Sequence, residues 1–167
     1  QQDWMCEPFM LEKTGLTVEK HINRTVDNFL KLRKLGTPVH VIPVLQGWEL
    51  DDYKDCFERF EAKGVDLRAE PLVGLGSVCR RQGAEEIGRI VKCFHAKGLK
   101  LHGFGVKMNG LNLYRDYLES ADSLAWSFGA RYRKEYCSKC EGISTKPSCN
   151  NCLNYALEWR ERLLRGA

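Results

Sequence analysis

The chain has 167 residues, 26 Lys and Arg against 22 Asp and Glu, 43% hydrophobic residues and eight cysteines, enough for one domain with its own core at ~150 residues per domain. A 29% charged fraction with 10% aromatics excludes wholesale disorder, and no run nears the ~20 apolar residues of a membrane span. The opening Gln1-Gln2-Asp3-Trp4 has no basic-then-apolar leader, and a chain able to build a core needs no disulfide staples, so a cytoplasmic protein with reduced thiols is expected.

The elements alternate along the chain. A short apolar piece at 4–6 reads as a strand. A helix from about Thr17 carries Val18, Ile22, Val26, Phe29 and Leu30 and stops at Gly36; a strand over 39–45 follows. Tyr53, Cys56, Phe57 and Phe60 mark a second helix ending at Gly64, before a strand over 65–72. Ala84, Ile87, Ile90, Val91 and Phe94 mark a third ending at Gly98, before a strand over 99–106. Leu111, Tyr114, Tyr117 and Leu118 lie on a fourth helix, and 123–126 reads as a last strand. Apolar residues three and four apart put one helix face on a layer beneath, and glycine past the last turn supplies a left-handed cap. Strands joined through helices run parallel, so an α/β fold follows.

Polar residues close successive strands: Gln46, Glu70, Lys107 and Asp122. A (β/α)8 TIM-type barrel builds its active site from such strand ends, but needs eight strands and typically ~250 residues. About five βα units fit here, so the chain is either a small open sheet or a barrel lacking its first part. Gly74-Leu75-Gly76 lacks the third glycine of a phosphate-binding loop and reads as a turn.

From Phe128 onward eight bases (Arg131, Arg133, Lys134, Lys139, Lys146, Arg160, Arg162, Arg165) face four acids, which holds the whole net charge of +4. That local excess suits a polyanion docking at the C-terminal end; a solvated helix face is the alternative. The same region holds Cys137-Ser-Lys-Cys140 and Cys149-Asn-Asn-Cys152. Two Cys-x-x-Cys knuckles supply the four thiolates of a closed, structural Zn2+ site, and the Gly- and Pro-containing loop between them, with Gly142, Ser144 and Pro147, needs such a fixture. The expected division is a partial barrel over 1–134 and a four-cysteine zinc segment with a C-terminal helix over 135–167. Cys6, Cys56, Cys79 and Cys93 read as small buried hydrophobes.

Several of these pieces together resemble a known family. Val44-Leu45-Gln46-Gly47 and, one βα unit later, Leu72-Val73-Gly74-Leu75-Gly76 resemble the base-binding stretch of queuine-type tRNA-guanine transglycosylases. Leu101-His102-Gly103-Phe104-Gly105 occupies the place of that family's Gly-Val-Gly strand. Asp122-Ser123-Leu124-Ala125-Trp126, continuing to Ala130-Arg131, looks like the archaeal nucleophile segment, with the cysteine cluster following. The wording Pro43-Val44-Leu45-Gln46-Gly47-Trp48-Glu49 and Glu70-Pro71-Leu72-Val73-Gly74 is closest to the DpdA-type branch, whose members place 7-deazaguanine bases in DNA.

The resemblance implies a transglycosylase that exchanges guanine for a 7-deazaguanine such as preQ0, most directly in DNA. Asp122 would be its nucleophile, and Asp3, Gln46, Gly47, Glu70 and Leu72 would hold the base. Arg131, Arg133 and Lys134 would hold the nucleic acid, and Cys137, Cys140, Cys149 and Cys152 the zinc. Glu70 alternatively pairs with Arg80 or Arg81, and Trp48 and Trp126 either stack on a base or pack the core. A bacterial register would lay Ala125 on the nucleophile; the archaeal register also matches Ser123, Ala125, Ala130 and Arg131 and is preferred. The family's Gly-Gly is Glu70-Pro71 here, and its first strands, with a second catalytic aspartate, are absent, so the resemblance implies an incomplete barrel whose remaining strands come either from further sequence or from a separate chain. Asp3, Glu7 and Glu70 are the acids placed to line the mouth. The rival expectations are a tRNA substrate and a non-catalytic, zinc-containing nucleic-acid-binding subunit. No membrane partner is expected.

Overall fold

The structure, a computed structural model, describes residues 3–79, 81, 83–143 and 145–165. Its helices form where apolar residues recur at helical spacing. α1 spans Pro8–Thr14 and α2 spans Val18–Lys34. The latter opens on Thr17, whose hydroxyl accepts from the Lys20 N–H at 3.3 Å, and buries Ile22, Val26 and Phe29 on one face. α3, Leu50–Ala62, starts in a capping box in which the Glu49 and Asp52 side chains each accept from the other's backbone, satisfying N–H groups that a helix start leaves free. α4, Ala84–Ala96, buries Ile87, Ile90, Val91 and Phe94. α5 is Met108–Tyr114, tightened into a 3-10 turn at Arg115–Tyr117; α6 is Ala125–Arg133 and α7 is Leu153–Leu164.

Four short strands form one parallel sheet in the order β1-β2-β3-β4: Val44–Leu45, Val73–Leu75, Leu101–Gly103 and Ser120–Ala121. Val44 pairs Gly74, Gly74 pairs His102, and His102 pairs Ser120. Successive strands are therefore neighbours, each joined to the next through a helix. The first three strands are almost wholly buried, and the inner faces of α2, α3 and α4 pack over them, with Phe29 edge-on to Phe60 at 5.4 Å. A second, smaller cluster joins Ala130 and Trp126 of α6 to Cys137, Cys149 and Tyr155.

The structure corrects the expected strands. Among the described residues the sheet has four strands, not five, and it is not closed into a barrel. Residues 4–6 form no ladder because side chains take their donors: Trp4 N–H bonds to Thr25 Oγ1 and Cys6 N–H to Ser77 Oγ, both at 2.8 Å. The last strand lies at Ser120–Ala121, and the stretch read as strand over 123–126 instead leads into α6. The strand read over 65–72 begins only at Val73. α1 was not anticipated, although Pro8 in its first turn and Gly15 after its end, at φ 65°, are ordinary start and stop signals.

Candidate active-site rim and metal centre

Because the strands are parallel, their C-terminal ends form one rim: Gln46 after β1, Gly76 and Ser77 after β2, Phe104 and Gly105 after β3, and Asp122 after β4. Gln46 is fully buried and is the centre of a polar chain. Its amide donates to Asp3 Oδ2, and its carbonyl accepts from Ser77 Oγ at 2.6 Å. Ser77 Oγ in turn accepts from Cys6 N–H. Burial pushes the Asp3 carboxyl above its usual range, against the lowering effect of its own backbone N–H and of the Gln46 amide. Thus Asp3 and Gln46, far apart in sequence, are brought together. Gly47 has no room for a side chain: a Cβ there would lie 2.7 Å from Tyr53 N, so the backbone seats directly on the start of α3.

Ser77 was not anticipated. It is buried, holds a positive φ of 56°, and orients Gln46. The signal was available, since it is the first polar residue past the end of β2. Beside it, Tyr53 donates to Gly76 O at 2.7 Å. Arg81 stacks over Trp48, 4.3 Å from the ring centroid, and pairs with Glu86. Trp48 is thereby packed by Arg81, and Trp126 by the second cluster.

Asp122 ends β4 with its side chain 61% exposed. Oδ1 accepts from Gly105 N–H at 2.6 Å and lies 3.9 Å from His102 Nε2, whose other ring nitrogen is 2.9 Å from Ser120 Oγ. One carboxylate oxygen is thus fixed by the β3–α5 loop, and Asp122 is among the residues lining an open groove of about 410 Å³ with Arg115, Trp126, Trp159 and Arg160. Gly105 itself packs on Cys79, whose thiol donates to Glu7 Oε1 at 3.5 Å. Glu7 is 1% exposed, and among the described residues its Oε2 has no hydrogen-bond partner.

Glu70 and Leu72 lie elsewhere. Both precede β2, at the N-terminal end of the sheet, because the strand starts at Val73. The expectation that Glu70 lines the mouth is corrected. It pairs with Arg33 at 2.5 Å, with His40 Nε2 at 3.9 Å, and closes the bottom of the sheet onto α2. Arg81 is not its partner, and Arg80 lies outside the described residues.

Arg131 and Arg133 sit on the last turn of α6, and Lys134 caps it at φ 54°. Arg133 pairs with Glu135, whose carboxyl is held down at about 2 chiefly by that guanidinium and then by the Tyr155 hydroxyl. Beyond them the four cysteine sulfurs all lie within 4.8 Å of one another. Cys137 Sγ is 3.8 Å from Cys152 Sγ and 3.9 Å from Cys149 Sγ. A tetrahedron with Zn–S of ~2.3 Å has S···S edges of ~3.8 Å, so the donor set fits zinc. Each knuckle is turned by its own backbone: Cys140 N–H bonds to Cys137 O, and Cys152 N–H to Cys149 O. Cys152 also heads α7, where the Tyr155 N–H draws its thiol down to about 7.

A family model described as DpdA, DeoxyPurine in DNA protein A, matches residues 1–167. The chain belongs to that family. Membership carries, at family level, a function related to 7-deazaguanine in DNA and an enzyme of transglycosylase type. It agrees with the resemblance seen in the Gln46, Gly74 and Asp122 segments. No curated protein and no solved structure matches the chain. No described helix is long and apolar enough to cross a membrane.

Proposed function

We propose that the chain is the base-exchanging part of a DNA transglycosylase that replaces guanine by a 7-deazaguanine through Asp122. The observation that carries this reading is the exposed Asp122 carboxylate at a β-strand end, oriented by Gly105 N–H on the rim that also holds Asp3 and Gln46. Asp122 attacks C1′ of the deoxyguanosine, the glycosidic bond to guanine breaks, and a glycosyl ester forms. The departing guanine takes a proton from an acid. N9 of the incoming base then attacks C1′, releases the carboxylate and gives its proton back. Two displacements at one carbon retain configuration, as in retaining glycosidases.

Asp3 and Gln46 are read as the base-recognising pair, the carboxyl accepting from ring N–H and amino groups and the amide offering both a donor and an acceptor. At ~4.8 Å between strands, β1 and β4 lie ~14 Å apart along a flat sheet, so the sheet must curl to bring base and sugar sites together. Consecutive strand order supports an arc of a (β/α) barrel, since a doubly wound sheet reverses its order part-way. Cys137, Cys140, Cys149 and Cys152 would hold a structural zinc, which with four thiolates has no open position and serves to fix the segment. Arg131, Arg133 and Lys134 would contact phosphates, and a base in a duplex would have to be flipped out. The expected setting is the cytoplasm, with reduced thiols.

The test is incorporation of labelled preQ0 into single-stranded and duplex DNA, with tRNA in parallel. Incorporation into DNA that Asp122→Asn abolishes supports the reading; incorporation into tRNA alone refutes the DNA assignment.

A further inference from the structure

α6 begins three residues after Asp122 and has two unlike faces. One face is docked: Gly129 and Ala130 are buried, and Trp126 packs with Ala130 on the cysteine cluster. The other is bare. Leu124, Phe128 and Tyr132 recur every four residues and are 75%, 63% and 69% exposed. The Phe128 and Tyr132 rings lie against each other, 4.2 Å between centroids and tilted by 37°. At about 100° per residue, Tyr132 is turned about 40° from Phe128 and Arg131 about 60° the other way, so a guanidinium shares the aromatic face.

We infer that this face is a stacking platform for single-stranded DNA, holding the nucleotides next to the one presented to Asp122. Charge selects the occupant. α6 contains Arg131 and Arg133 and no acid, and Lys134 follows it. Arg133 is paired with Glu135, but among the described residues Arg131 and Lys134 have no carboxylate within 4 Å. A protein partner would have to bury the Arg131 guanidinium beside the rings and pair it, whereas a phosphate meets it directly. Exposed aromatics alternating with cations are how sequence-tolerant sites hold unpaired strands, bases on rings and phosphates on arginine. The two rings, 4.2 Å apart, make one continuous exposed aromatic surface on which a base can stack beside the Arg131 guanidinium.

This inference rests on the reading that the chain acts on DNA, but its test does not need base exchange. Binding of a fluorescein-labelled oligodeoxythymidine, which contains no guanine, is followed by anisotropy across a salt series with the full chain. Phe128→Ala/Tyr132→Ala should weaken binding about fivefold or more per ring, leaving the salt slope unchanged. Arg131→Ala should instead lower that slope by about 0.7, one phosphate on a single strand. The rings are on the surface, and an unchanged circular dichroism melt verifies that the variants fold. Unaltered affinity in the double ring variant overturns the inference. So does sedimentation showing that the parent self-associates through this face and the ring variant does not. Loss of base exchange in every assay with ring-dependent binding retained refutes the transglycosylase reading and leaves the platform standing.

Discussion

Gly76→Ala is a small change with a large expected effect. A methyl at this position would sit 2.6 Å from Gln46 Cδ and 2.9 Å from Oε1, and closer still to Nε2. The backbone there is not in the left-handed region, so alanine adds no φ strain. The whole effect falls on the buried Gln46 amide, which has to leave its place between Asp3 and Ser77. Two buried hydrogen bonds are lost at about 1 kcal/mol net each, and a stranded polar group adds about 1–3 kcal/mol, giving a cost of ~3–5 kcal/mol. With a urea slope of about 2 kcal/mol/M, the unfolding midpoint should fall by ~1.5–2.5 M. Gln46→Ala should cost a similar amount. Adding Gly76→Ala to it should then cost under ~0.5 kcal/mol, because the group it strikes is gone, so the cycle should be strongly non-additive. A parent-like midpoint for Gly76→Ala, or full additivity of the pair, would refute this account of the rim.

Other consequences follow from the placement of single groups. Glu70→Gln should lower stability by ~1–3 kcal/mol, by weakening the Arg33 contact at 2.5 Å, while leaving KM for the incoming base unaltered; a raised KM with intact stability would put Glu70 back at the site. The protein should carry one zinc per chain by metal analysis, with Cys137, Cys140, Cys149 and Cys152 unreactive towards a thiol reagent until a chelator is added. Cys149→Ser should lower metal occupancy and loosen α7 in hydrogen exchange while protection in β2 and β3 persists. Glu135 titrates at about 2 when folded against an ordinary 4.5. It therefore contributes stability above its unfolded value, lost as the pH falls from about 4.5 towards 2. Glu135→Gln should reduce the parent's loss of melting temperature across that window, modestly because the side chain is 35% exposed.

The alternation of amphipathic helices with short apolar segments was legible because each helix buries a single stripe, as Ile87, Ile90, Val91 and Phe94 do on α4. The strands were harder. Their ladders are only two or three residues long, too short to show a period, and the apolar residues beside them belong to connecting loops. That imprecision has consequences at the site. Starting β2 at Val73 rather than Val65 moves Glu70 from the rim to the opposite end of the sheet, where it meets Arg33. The segment 4–6 has a strand's composition, but its donors go to Thr25 and Ser77, partners that depend on the tertiary fold. α6 was obscured because its helical stripe of Leu124, Phe128 and Tyr132 faces outward and so does not read as a core pattern. The Cys-x-x-Cys pairs were plain, since ligand chemistry is written in residue type and spacing.

The most direct measurement is the intact mass of the chain after a rapid acid quench with guanine-containing single-stranded DNA. The account predicts a covalent adduct whose mass is the protein plus the oligonucleotide less one guanine, with the peptide containing Asp122 carrying the linkage and no adduct in Asp122→Asn. An adduct that persists in Asp122→Asn, or efficient exchange of labelled base without any dependence on Asp122, would contradict it.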